Sequence, residues 1–140
     1  MDTTRERTGV DLRMPVFFHS TPSAVGEARG IARAFLGRFA AGIDAAPADA
    51  VVVVVSELVA NAVRHAGGAG CSLWLSARPG SITVEVSDSS PVTPRERVPD
   101  LTGRTGGYGW PTVRRLARSV SVIPATGGKT GKTVRAVISR

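Results

Sequence analysis

Cysteine, lysine and aromatic side chains are all scarce in this chain. A single cysteine, Cys71, excludes an internal disulfide. It heads an alternating run, Cys71, Leu73, Leu75 and Ala77 against Ser72, Trp74, Ser76 and Arg78, which predicts a small buried residue rather than a nucleophile. Aromatics make up 5% of residues, so the core must come from Val, Ala, Leu and Ile. The interleaving of rings with basic residues that marks single-strand nucleic-acid binders is missing too. Long apolar runs are also lacking. The five valines at 51–55 lie between Asp49 and Glu57, well short of a bilayer span, so no membrane segment is expected. The N-terminal MDTTRERTG has no apolar stretch of the kind a secretory signal carries, which makes the cytoplasm the expected compartment.

What is present describes one globular domain. The 140 residues are 42% hydrophobic, enough for one core and too few for two ordinary domains. The net charge of +7 comes almost wholly from arginine, since Lys129 and Lys132 are the only lysines. The arginines are spread along the chain, with small concentrations at 5–13, 95–104 and 114–118. A duplex-binding protein would concentrate them in a stripe and show steeply salt-dependent affinity. The expectation is no direct nucleic-acid partner.

Residues 1–13 read as a disordered basic arm, with the domain at 14–140. Val16-Phe17-Phe18 predicts an edge strand, and Thr21-Pro22 opens a helix to about residue 41. The stretch 71–78 and the alternation of Ile82, Val84 and Val86 predict a hairpin about Pro79-Gly80. Residues 89–106 have no periodicity and hold three prolines, either a binding loop or a plain surface excursion. A short helix at 111–118 and a final hairpin, 120–125 with 133–138, complete the chain. The layout is α+β: a two-layer sandwich with helices on one face of a mostly antiparallel sheet.

The centre of this layout is VVVVVSELVANAVRH at 51–65. Five β-branched residues favour a strand, but about twenty residues without a turn signal is too long for one. Val51, Val55, Leu58 and Ala62 also recur at helical spacing, so a helix is expected from about 47 to 67. Glu57, Asn61 and Arg64 fall at i, i+4 and i+7 and share one face. That face is either a solvated polar stripe or a reaction face. A carboxylate can take a proton from a hydroxyl, and an amide oxygen suits Mg²⁺.

Two further features bear on chemistry. Asp88 ends a strand, where its carboxylate fits either an Asx-turn or the exocyclic amine of a base. Gly107-Tyr108-Gly109 runs into a helix and offers backbone N–H groups to a phosphate, or else a hinge. Two Gly-Lys-Thr triplets near the C-terminus fail as P-loops, because the required upstream glycine is Ile123 in one and Thr126 in the other.

Taken together, Glu-x-x-x-Asn on a helix, Asp-x-Ser at a strand end, a long loop and Gly-x-Gly opening a helix resemble the Bergerat-fold (GHKL) ATPases. Within them the chain is most similar to the anti-sigma-factor serine/threonine kinases and related ATP-binding regulatory proteins. The resemblance spans roughly residues 15–138 and is strongest in SELVANAVRH at 56–65. It implies Glu57 as general base, Asn61 as Mg²⁺ ligand and Asp88 as the acceptor for adenine's amino group. Gly107 and Gly109 would let a lid close over the phosphates, and Thr133 would help hold adenine through water. Arg64 falls where related kinases place a basic residue towards the phosphates; Arg104, in the loop, is a candidate for the γ-phosphate that the family pattern does not pin. The chain departs from the pattern at Ser90, where a glycine is usual, and at Trp110-Pro111.

The resemblance therefore implies a cytoplasmic kinase with ATP and Mg²⁺, acting in partner switching. Its target would be a small anti-sigma-factor antagonist, with a sigma factor as second partner and pairing of two such domains. The alternative is a non-catalytic ATP-binding or partner-binding module of the same fold.

Overall fold

The computed structural model describes residues 10–11, 15–65, 69–90 and 109–140. Strands β1 (Val10–Asp11) and β2 (Val16–Phe18) lead into helices α1 (Ala24–Phe39) and α2 (Ala45–His65). The hairpin of β3 (Cys71–Arg78) and β4 (Ser81–Asp88) follows, then helix α3 (Trp110–Leu116) and the hairpin of β5 (Ser119–Pro124) and β6 (Lys132–Ser139). Every pairing is antiparallel, in the order β1-β3-β4-β6-β5, with β2 also on β3. The α+β sandwich expected from the sequence is the fold observed.

One element was not foreseen. Val10 and Asp11, placed in the expected disordered arm, pair with Ala77 and Ser76 of β3. β2 pairs with Leu73, Ser72 and Cys71 further along the same strand. Two short strands thus share one edge of β3 and cover backbone groups that a single three-residue strand would leave open. The rest of the arm, the stretch 91–108 and residues 66–68 lie outside the described residues.

The valine run is helical, as its length requires. Val51, Val54, Val55, Leu58, Val59 and Ala62 are buried on α2, while Val53 faces outward. β-branched side chains lower intrinsic helix propensity, but an apolar face packed into a core outweighs that. Burial of Leu58 alone is worth about 1.5–3 kcal/mol. The helix begins two residues before Pro47, with Ala48 N–H donating to the Asp44 carbonyl at 3.1 Å. Pro47 sits in the first turn, where no N–H is required.

By length and composition alone α2 could cross a bilayer, contrary to the impression left by the five valines between charges. Its apolar surface is instead used inside the domain, where α2 packs against α1, α3 and strands β3, β4 and β6. Leu73 and Leu75 of β3, Ile82, Val84 and Val86 of β4, and Val134, Ala136 and Ile138 of β6 supply the facing layer. Period-two alternation sends Ser72, Glu85, Ser87, Thr133 and Arg135 to the helix-free face. There Arg135 Nε donates to Glu85 Oε2 at 3.1 Å across the ladder, an exposed pair of small energetic weight.

Candidate nucleotide site

Asp88 stands at the end of β4, opposite Cys71 on β3 and Lys132 on β6. Lys132 Nζ lies 3.0 Å from each carboxylate oxygen, and Ser90 N–H donates to Oδ1 at 2.8 Å. Both side chains of the ion pair are 2% exposed. The Asx-turn that the Asp88-Ser89-Ser90 string suggests is therefore present, together with an ionic partner that it did not suggest.

Lys132 reaches Asp88 because of its strand register. It shares the parity of Val134, Ala136 and Ile138 and so points to the helix-bearing side. Gly131 permits the approach: at φ +125° its backbone crosses the strand end so closely that a Cβ would strike the Asp88 carbonyl oxygen. Thr133 has the opposite parity. Its hydroxyl hydrogen-bonds that of Ser87 at 2.7 Å, on the helix-free face, one residue out of register for a place beside Asp88. Sequence reading missed Lys132, although the spacing of Val134, Ala136 and Ile138 points inward at 132.

Cys71 is buried beside the same carboxylate. Burial, and then the negative charge of Asp88, push its thiol up to about 11. It stays protonated at neutral pH and is no nucleophile, as its position in the strand predicts. A cavity of about 310 Å³ opens at this strand end, bounded by Phe17, Gly70, Cys71, Ser87, Asp88 and Thr130. Glu57 and Asn61 do not line it.

Glu57 and Asn61 are half-buried on the flank of α2, and Arg64 is exposed in its last turn. The helix ends at His65, and Cys71 begins β3 opposite Asp88. So short a connection holds the C-terminal end of α2 near the sheet end that carries Asp88. Glu57 lies eight residues before that terminus, about 12 Å along the axis. Asn61 lies one helical turn nearer that terminus.

Gly109 is buried at φ 64° and ψ −132°, a conformation in which an L side chain is strained. Its carbonyl accepts from the N–H groups of Thr112 at 3.1 Å and Val113 at 3.3 Å, which starts α3. Trp110, half-buried, packs against the core cluster, and Pro111 occupies the first turn. Thr112 Oγ1 is buried and has no hydrogen-bond partner among the described residues. Arg104 and Gly107 lie outside the described residues.

Sequence comparison meets this geometry at the level of the whole domain. The family model of the histidine kinase-like ATPase domain matches residues 18–138. The chain belongs to that family. A comparison with curated proteins finds no match. For a histidine kinase-like ATPase domain the ligand is ATP, and the donor set can be tested against it. Asp88 is an acceptor of the right chemistry for an exocyclic amine. Thr112 carries a buried hydroxyl without a partner among the described residues, just after the Gly109 turn. Glu57 and Asn61 add a half-buried acid and amide one helical turn apart. By chemical type these residues could hold a purine nucleotide and a hard cation, with Asp88 already engaged by Lys132.

Proposed function

We propose that this domain is a serine/threonine protein kinase of the anti-sigma-factor type, acting on a small antagonist protein in a cytoplasmic partner-switching system. The observation that supports the reading is a half-buried acid and amide, Glu57 and Asn61, one turn apart on α2 in a chain of the histidine kinase-like ATPase family. ATP supplies the phosphoryl group when bound. Glu57 accepts the proton of the partner's serine or threonine hydroxyl, a role suited to a carboxylate partly withdrawn from water. Asn61 offers its amide oxygen to Mg²⁺, a hard ligand for a hard cation. Asp88 accepts from the adenine amino group. Arg64 and Arg104 would serve the phosphates, and Gly107 and Gly109 would supply backbone freedom ahead of α3. Because phosphoryl transfer depends mainly on positioning and charge neutralisation, these few groups suffice for catalysis. A sigma factor and a second copy of the domain are the further partners in this reading.

A single-turnover assay with labelled ATP and a candidate antagonist tests it. Glu57→Ala is expected to lower transfer by about 10²–10⁴-fold, the usual contribution of a positioned general base, while nucleotide binding persists. Equal transfer by the variant would remove Glu57 from the chemistry.

The second reading is a non-catalytic ATP-binding module that regulates by contact. Engagement of Asp88 by Lys132 favours it, as do Ser90 and Trp110-Pro111 at positions where the family pattern has other residues. It predicts saturable nucleotide binding with no transfer to any antagonist.

A further inference from the structure

Burial and charge combine unusually at the end of β4. The Asp88 carboxylate is held by a full ammonium on both oxygens at 3.0 Å and by a backbone N–H at 2.8 Å, with both side chains 2% exposed. Hydrogen bonds between ionised partners are roughly twice as strong as neutral ones. An aromatic amine is neutral, so it must compete for this carboxylate against a stronger donor already in place. Lys132 cannot simply drift away. Its backbone is set by the ladder to β4 and by the tight crossing of Gly131 over the Asp88 carbonyl. Among the described residues, loss of the ammonium would leave the buried carboxylate with the Ser90 N–H as its hydrogen-bond donor. That is a defect which an incoming amine would partly repair.

We propose that Lys132 is an internal competitor for the base-reading carboxylate, so that nucleotide binding proceeds by exchange of a Lys132–Asp88 hydrogen bond for one from the 6-amino group. The inference rests on the nucleotide reading of Asp88 given above and deepens it. Lys132 sets both the affinity for nucleotide and the advantage of a 6-amino purine over one that lacks the group. Weak binding by the native chain is then a property of this pair.

Calorimetry of ATP binding to the native chain, Lys132→Met and Lys132→Gln tests it, with purine riboside triphosphate, which lacks the 6-amino group, as the second ligand. The expected result is ATP affinity raised about tenfold or more in both variants, about 1.4 kcal/mol, with no gain for the second ligand. Lys132→Gln keeps an amide donor for Asp88 and serves if the methionine variant does not fold. The native chain gives a further readout, because its two lysines yield only two ammonium signals in a spectrum of the ¹⁵N-lysine-labelled protein. Lys132 should be protected from solvent exchange without nucleotide and lose protection as ATP is added. Unchanged or weakened ATP affinity in the variants, or an ammonium signal indifferent to bound ATP, overturns the competitor role alone. Failure of the native chain and both variants to bind ATP overturns the nucleotide reading itself, and this inference with it.

Discussion

Cys71 and Lys132 both lie beside Asp88, and its carboxylate bears on them differently. The ammonium has a carboxylate to neutralise it, whereas a thiolate at position 71 would face that same negative charge. The thiol is therefore held neutral, with its value raised from an ordinary 9.0 to about 11. The stabilisation this gives is fully present below pH 9 and is lost as pH rises towards 11. Urea unfolding of the native chain should weaken more steeply across that interval than unfolding of Cys71→Ala. Parallel pH profiles would show that the thiol is not desolvated in the fold. Glu57, Asn61 and Asp88 stand out because acids and amides at motif spacing are visible in one dimension. Lys132 does not, since its importance depends on a partner 44 residues away in the chain. The neighbouring Thr133, which the resemblance places near adenine through water, shares a hydrogen bond with Ser87.

Among the elements, α2 decides the most. Leu58 is 2% exposed on the packed side of the helix, whereas Val53, five residues earlier, is 38% exposed. Leu58→Ala should cost about 2–5 kcal/mol by denaturant unfolding, the range for deletion of a buried leucine. Val53→Ala, away from the packed face, should fall within about 0.5 kcal/mol of the native chain. Equal costs at the two positions would place the buried face elsewhere. The helix was legible despite its valines because length and three-four spacing both speak against a strand. Its ends were less so: it begins at Ala45 rather than at Pro47, since a first-turn proline marks the region of a start and not its first residue. The two hairpins were legible from alternation. β1 was not, because two residues carry no period, and their pairing is set by the bare edge of β3.

For the molecule as a whole, layer order follows from the apolar patterns, whereas strand order does not. Alternation predicts one buried face per strand, but nothing local says that β6 inserts between β4 and β5. That insertion matters for function, because it sets Lys132 opposite Asp88. It also leaves the helix-free face of the sheet to polar pairs such as Glu85 with Arg135. The family match over residues 18–138 agrees with the architecture and makes ATP the ligand against which the site is judged. The account then turns on whether Asp88 reads the base of that ligand. Calorimetric titration of ATP into the native chain and into Asp88→Asn measures this most directly. The account predicts saturable binding at one site per chain, weakened at least about tenfold, or about 1.4 kcal/mol, in the variant. Equal affinity in the two proteins, or no binding by the native chain, would contradict it.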